Sequence, residues 1–409
     1  MEIMKTDYLL IVICSIVILS YLFSIISRYI KVPSVLLLLF GGILFRWFGD
    51  LNNIVLNIPD KMVEILGVIG LIMIVLEAGL DLKLGKDKVV LIRNSFFSAL
   101  FIFILSAVLL TAILRYWLNE PVINCLVYAI PLSIISSTIV IPSIHALTEK
   151  KKEFLVYEAS FSDIIGILVF NYFTAEEVLT LKSFCVFSGN ILASVVLSFV
   201  LSFVLFMIMA KTKLNIKFFL IFSLLILIYT SGKLLSLPSL LIIIIFGMTV
   251  NNWEMIRWKW LKNFFPMQQV EEIRNLLHSI TAESSFLIRT FFFILFGYSI
   301  SLGFLNEEGV LIVGGMIVAA LFAVRLLYLR FFVQTNVFPE SFFLPRGLVT
   351  IVLFYKIPEN LRLSAFNEGI LFFIILTTSL IMAAGMIFYK KKPEQILEEG
   401  AFSKNKNIL

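Results

Sequence analysis

The amino-acid sequence predicts an all-α polytopic membrane protein with about 13 transmembrane helices. Hydrophobic residues make up 60% of its 409 residues and charged residues only 15%, and the mean hydropathy is +1.03. Soluble domains are usually about 45–50% apolar and about 25% charged. Apolar runs close to the roughly 20 residues that a helix needs to cross a bilayer recur from one end of the chain to the other.

Short polar stretches separate these runs into the predicted spans. The first run follows "MEIMKTDYLL", which lacks the basic region of a cleaved signal, so we interpret it as a true first span. In chain order the spans are 7–29, 33–49, 61–84, 91–117, 121–147, 153–174, 182–210, 216–234, 237–250, 277–304, 309–334, 340–357 and 366–389.

Lysine and arginine alternate between the loops in a way that predicts the orientation. Every second loop is rich in Lys or Arg, as in "KVP" after Ile30, "EKKKE" at 149–153 and "KKK" at 390–392, whereas the intervening loops, such as "NEP" and "NEEG", are poor in both. The positive-inside rule then predicts an external N-terminus, a cytoplasmic C-terminus and an odd number of spans in the cell's inner (plasma) membrane. It also explains the net charge of +6 without a nucleic-acid partner.

Cysteine and histidine give no sign of a cofactor. Cys14, Cys125 and Cys185 each stand alone in an apolar run, and the two histidines are far apart in sequence, so neither a disulfide nor a zinc site is expected. The loop "NNWEMIRWKWLKNFF" (251–265) fits either an interfacial helix or an ordinary basic loop with tryptophans at the membrane boundary.

Acidic residues inside the sixth span are the most informative feature. In "YEASFSDIIGIL" (157–168), Asp163 lies roughly 15 Å into the span, near the bilayer midplane. A charge at that depth is costly and usually functional, although pairing with a buried arginine is the alternative. Glu158 is nearer the predicted cytoplasmic end, where a structural role is equally compatible, and Ser160 and Ser162 lie between the two acids.

The fifth span carries hydroxyls and a proline at mid-depth. Ser136, Ser137 and Thr138 are followed by Pro142, which removes a backbone donor and should free the carbonyl of Thr138. An interrupted helix beside a buried acid is how transporters coordinate cations at the midplane. The alternative is a kinked helix whose hydroxyls bond to their own backbone.

A second interruption falls in "FFLPRGLVTIVLF" (342–354), where Pro345 and Gly347 flank Arg346. Spans five and twelve run in opposite directions in the predicted topology. Paired interruptions of this kind predict an inverted repeat with two broken crossing helices.

Further charges lie deep in other spans. Arg289 and Arg325 are candidates to neutralise Glu158 and Asp163, or Glu77 and Glu283. Glu77 lies near the end of the third span, where the alternative is a carboxylate that reaches the interface and has no further role.

Together, four stretches resemble motifs of the cation:proton antiporter superfamily, the sodium/proton exchangers and their bacterial relatives. They are "LEAGLDL" (76–82), "SSTIVIPSI" (136–144), "EASFSD" (158–163) and "PRGLV" (345–349). No single motif is specific, but their order and spacing match, and the resemblance covers nearly the whole membrane region.

The resemblance implies a transporter domain at 1–390 and a short cytoplasmic tail at 391–409, usually in a homodimer. The interface helices would lie in 7–84 and 216–304, the mobile core helices in 91–174 and 309–389, and a linker helix in 182–210. It thus implies a membrane transporter rather than an enzyme, with Na+ or K+ and H+ as its ions.

The resemblance also implies roles for individual residues. Asp163 would be the shared cation and proton site, with oxygens from Ser137, Thr138 and Ser162 around it, and Glu158 would pair with Arg325. Ser162 stands where relatives have Asn or a second Asp, and a hydroxyl adds no titratable charge. One carboxylate exchanging one proton for one cation predicts electroneutral 1:1 exchange. Around Ser137 and Thr138 the sequence is more similar to the potassium-efflux branch.

Three other function classes are weighed against the residues. A cation channel or uniporter would use Asp163 only to attract ions. An organic-anion symporter on a related fold would use Arg325 and Arg346 instead. A membrane-embedded aspartyl protease would need a second aspartate at mid-depth, and the sequence offers none.

Overall fold

The computed structural model describes residues 6–51, 60–85, 88–175, 181–211, 218–234, 237–253, 267–300, 303, 308–333, 337–363 and 366–389. Throughout these ranges the regular structure is helical, without a strand. The predicted interfacial segment at 251–265 is described only to Trp253, and the tail at 391–409 lies outside the described residues.

The described residues form fourteen α-helices. They are α1 (Thr6–Ile30), α2 (Ser34–Leu51), α3 (Asp60–Asp81), α4 (Val89–Leu118), α5 (Val122–Ser133), α6 (Ser137–Ser143), α7 (Glu149–Phe173), α8 (Leu181–Lys211), α9 (Phe218–Leu234), α10 (Ser239–Asn251), α11 (Met267–Ser299), α12 (Glu308–Tyr328), α13 (Leu348–Tyr355) and α14 (Glu368–Phe388). Short 3₁₀ turns occupy Ile144–Ala146, Glu340–Phe342 and Glu359–Leu361, and a π-helical turn at Leu329–Val333 continues α12.

The predicted all-α polytopic membrane fold is confirmed. Seven helical segments of the described chain are long and apolar enough to cross a bilayer, and α9 and α10 are shorter apolar helices. The main difference from the predicted spans is at α11, which begins at Met267 rather than near residue 277. Its first turns, "MQQVEEIRN", are too polar for a hydropathy count to include, but they contain no Pro or Gly that would stop a helix.

Helix packing forms two groups of neighbours. In the first, α2 and α3 pack on α11, and α3 also packs on α10. Glycine pairs let the backbones approach, since a Cβ added at Gly79 would lie 3.2 Å from the Cα of Gly247. In the second group, α4 packs on α5, α7 and α12, and α12 packs on α14. The site lies where the two groups meet.

Candidate functional site

Two unwound segments cross in the middle of the bundle. The first, residues 134–136, separates α5 from α6, and the second, residues 343–347, leads into α13. The N–H of Ser136 donates to the carbonyl of Pro345 at 3.0 Å, which joins the two segments directly. A Cβ at Gly347 would collide with the side chain of Ser136, so this close crossing requires glycine.

Arg346 holds this crossing together. Its side chain is 1% exposed, its Nε donates to the carbonyl of Leu132 at 2.5 Å, and its Nη1 donates to the carbonyl of Leu344 at 2.7 Å. Leu132 is in the last turn of α5, where carbonyls lack helical partners and the helix dipole favours a cation. The Arg346 charge therefore stabilises the broken helix.

Asp163 lies against the first unwound segment and is 4% exposed. Its Oδ2 accepts a 3.3 Å hydrogen bond from the N–H of Ser137 and a short one from the Ser137 hydroxyl. Its Oδ1 has no hydrogen-bond donor among the described residues. A buried carboxylate oxygen without a donor is costly, so the geometry favours a proton or a cation at this atom.

A cavity of about 20 Å³ adjoins Asp163. This volume accommodates roughly one water-sized occupant. Apart from Asp163 its lining is apolar and comes from α3, α7 and α10: Ile74, Val75, Ala78, Ile164, Ile167, Leu168, Leu240, Leu241 and Ile244. A cation here would thus be largely dehydrated and would depend on Asp163.

The other predicted oxygen ligands surround the site without touching Asp163. The Oγ of Ser162 accepts from the N–H of Ile135 at 2.9 Å, which fixes the unwound segment to α7. The hydroxyl of Thr138 pairs with that of Ser136 at 2.8 Å. The carbonyl of Thr138 accepts from Nη1 of Arg289 at 2.9 Å. In this conformation, Ser137 is the predicted ligand whose side chain contacts Asp163.

Glu158 has a different environment, although it is also buried on α7. Its Oε2 accepts from Nη2 of Arg325 at 2.8 Å, and its Oε1 accepts from the hydroxyl of Ser98 at 2.6 Å. Nε of Arg325 donates to the carbonyl of Glu340 at 2.7 Å. The sequence analysis did not identify Ser98. The three-residue spacing of Ser95 and Ser98, which places both hydroxyls on one face of α4, could have indicated a polar contact there.

The remaining predicted charges lie on α3 and α11. Glu77 is partly exposed and within electrostatic range of Arg289, Asp81 and His278. Glu283 instead accepts a 2.8 Å hydrogen bond from the hydroxyl of Tyr21 on an exposed face. Arg289 therefore contacts the broken helix through Thr138 and does not neutralise Asp163.

Comparison with known proteins identifies the family of the chain. A family model described as "Sodium/hydrogen exchanger, transmembrane" matches residues 14–388. The chain belongs to the sodium/hydrogen exchanger family. The predicted superfamily is thereby confirmed, as is the prediction of a transporter rather than an enzyme, and membership implies sodium ions and protons as the transported ions.

Solved structures of one archaeal protein share the fold. The sodium proton antiporter MjNhaP1 from Methanocaldococcus jannaschii, in a structure at pH 8, superimposes with a TM-score of 0.69 at 18% identity, covering 94% of this chain and 98% of that chain. An electron-microscopy structure of the same antiporter gives a TM-score of 0.68 at 17% identity, covering 95% and 100%. No curated protein matches the sequence significantly.

Proposed function

We propose that this exchanger moves one monovalent cation, Na+ or K+, against one proton, with Asp163 as the site that both ions share. The observation that carries the proposal is the buried Oδ1 of Asp163, which has no donor among the described residues and belongs to a side chain that lines the one-ion cavity. Proton and cation exclude each other because each neutralises the same carboxylate.

The surrounding oxygens suit an alkali cation. Hydroxyl and main-chain carbonyl oxygens replace the water shell of such ions, and Ser137, Thr138 and Ser162 supply both kinds next to Asp163. Within the described residues, no group of three or more His, Cys, Asp or Glu side chains forms a chelating cluster. A single carboxylate is well suited to a weakly held monovalent ion that must leave again.

Electroneutral 1:1 exchange follows from the number of available charges. Glu158 and Arg325 neutralise each other, and Ser162 carries a hydroxyl where a second acid would be needed. With one titratable group, a cycle carries either one proton or one cation. The core helices can then cross the apolar barrier only when Asp163 is neutralised, because an uncompensated charge resists desolvation.

The geometry disfavours anion transport by the two buried arginines. Arg346 donates to two main-chain carbonyls and Arg325 to Glu158 and Glu340. We further propose the plasma membrane, a cytoplasmic C-terminus and a homodimer assembled through the interface helices. The alternation of basic and non-basic loops supports this orientation.

Exchange in proteoliposomes tests the proposal. Vesicles loaded with a pH dye receive Na+, K+ or Li+ with the membrane potential clamped at zero. We expect cation-dependent proton movement that survives the clamp, and its loss by at least about 100-fold in Asp163→Asn with the fold intact. Asp50→Asn makes the same chemical change at an exposed position and should retain exchange.

Two results would contradict the proposal. Retained exchange in Asp163→Asn would remove the carboxylate from the mechanism. A cation current whose reversal potential follows the cation gradient, without coupled proton movement, would show that the protein is a channel with the same fold.

A further inference from the structure

Arg289 reaches from α11 to the broken helix and occupies a backbone oxygen there. Its Nη1 donates to the carbonyl of Thr138 at 2.9 Å. This carbonyl is available because Pro142, four residues later, has no N–H to donate to it. Within the described residues, no hydrogen bond joins Arg289 to Asp163. The guanidinium thus binds Thr138, the residue that follows Ser137, and Ser137 is the residue that donates to the carboxylate of Asp163.

A guanidinium on this carbonyl has consequences for a metal cation. The Thr138 carbonyl is one of the oxygens that an alkali cation beside Asp163 would use to replace its hydration shell. Although a carbonyl has two lone pairs, a positive charge on one of them repels a cation that approaches the other. Arg289 and the transported cation therefore compete for the same edge of the site.

Glu77 offers the guanidinium a second partner. It lies on α3, which packs against α11, and among the opposite charges that act on it Arg289 has the larger effect and His278 the smaller. Both side chains are partly exposed, so neither is fixed on all sides by close packing. A carboxylate is also a stronger acceptor for a guanidinium than a neutral carbonyl is.

Further polar groups lie on α11 near Arg289. Thr281, Ser285 and Arg289 follow one another at four-residue spacing and therefore lie on one helix face. The hydroxyl of Thr281 is buried and has no hydrogen-bond partner among the described residues, and that of Ser285 is buried beside the carboxylate of Glu77. One turn further, Nε2 of His278 is 3.0 Å from Oδ1 of Asp81 at an exposed position. A polar strip therefore connects the exposed end of α11 with Arg289.

We propose that Arg289 is an internal cation that competes with the transported cation for the carbonyl of Thr138, and that Glu77 receives the guanidinium when the transported cation binds. The inference rests on the proposed exchange at Asp163 and adds a residue that sets its cation affinity. If Arg289 occupies the carbonyl in about nine molecules of ten, the apparent affinity is about tenfold weaker than that of the unblocked site.

Opposite effects of two neutralising variants test this inference. In proteoliposomes, Arg289→Gln should lower the KM for Na+ or K+ about tenfold, because the carbonyl is released. Glu77→Gln should raise the same KM roughly three- to tenfold, because the guanidinium loses its second position. The double variant should follow Arg289→Gln, since Glu77 acts through Arg289. Arg274→Gln removes a positive charge from the same helix near its start and should leave the KM unchanged.

Cation-dependent thermal stabilisation of the purified protein gives the same affinities without transport. This measurement can be made on an Arg289→Gln protein that reconstitutes poorly. The increase of KM in Glu77→Gln is a second test that does not depend on the Arg289→Gln protein. A KM that rises or stays constant in Arg289→Gln would assign Arg289 a purely structural role. Such a result would leave the proposed function intact as long as Asp163→Asn is inactive. If the wild-type protein neither exchanges nor binds these cations, the proposed function fails, and the Arg289 inference fails with it.

Discussion

Glu158 and Asp163 lie little more than one turn apart on α7, and both are buried, but their carboxylate oxygens differ in the hydrogen bonds that they accept. Both carboxylate oxygens of Glu158 accept a hydrogen bond, one from Ser98 and one from Arg325. Asp163 receives donors on Oδ2 alone, both from Ser137. Burial therefore does not by itself identify the transport carboxylate. The feature that distinguishes Asp163 is an acceptor atom, Oδ1, without a donor among the described residues, and on this atom the proposed ion site rests.

The largest expected effect on stability belongs to Glu158. Glu158→Gln leaves Arg325, which is 0% exposed, without its counter-charge, and we expect it to lower the free energy of unfolding by about 3–5 kcal/mol. Asp163→Asn breaks no ion pair and should cost much less. Thermal unfolding in detergent compares the two.

A neutral pair sharpens this contrast. Glu158→Gln combined with Arg325→Met removes both charges and should recover most of the lost stability, because the cost comes from the unpaired charge. If the double variant is as unstable as the single one, or if Asp163→Asn destabilises the protein equally, the two carboxylates do not differ in the way the geometry indicates.

A smaller loss is expected at the crossing of the unwound segments. Arg346→Gln withdraws the charge from the end of α5 and leaves the carbonyls of Leu132 and Leu344 poorly satisfied, at a cost of roughly 1–3 kcal/mol. Because the crossing positions Ser137, exchange should fall along with stability. Full exchange activity with the same loss of stability would separate the crossing from the site.

Much of this arrangement was predictable from local patterns. Spans follow from apolar length, and the second unwound segment contains the Pro-Arg-Gly stretch at 345–347, where proline and glycine act on their own backbone. Pro142 frees the carbonyl of Thr138 but lies inside α6, so it does not by itself predict the unwinding at 134–136. The start of α11 was not predictable from hydropathy, since polar residues can continue a helix beyond the membrane.

The partners of the charges were harder to predict, because they depend on tertiary contacts between distant residues. Arg289 and Arg325 were both candidates for several acids, and only packing distinguishes them: Arg325 meets Glu158, whereas Arg289 meets a backbone carbonyl. A sequence shows that Pro142 frees the carbonyl of Thr138 but does not show which donor reaches it.

Removing one donor from Asp163 should have a moderate effect on affinity. Ser137→Ala deletes the hydroxyl that orients Oδ2 but keeps the N–H at 3.3 Å. A hydrogen bond to a charged group is worth about 1.5–3 kcal/mol, so we expect the KM for the cation to rise about tenfold or more in exchange assays. Ser143→Ala is the matched control, because on the same short helix its hydroxyl bonds to the carbonyl of Ile139. A similar KM change in both variants would indicate general damage to α6.

The smallest effect is expected at Glu153, which lies on α7 five residues before Glu158. Its Oε1 is 2.5 Å from Nζ of Lys88, but its side chain is 35% exposed and that of Lys88 is 26% exposed. Water and salt screen such a pair, so Glu153→Gln should change the free energy of unfolding by about 0–1 kcal/mol, and less at high salt. Exchange should be unchanged. A loss as large as that of Glu158→Gln would mean that position along the helix, rather than desolvation and pairing, determines what each carboxylate contributes.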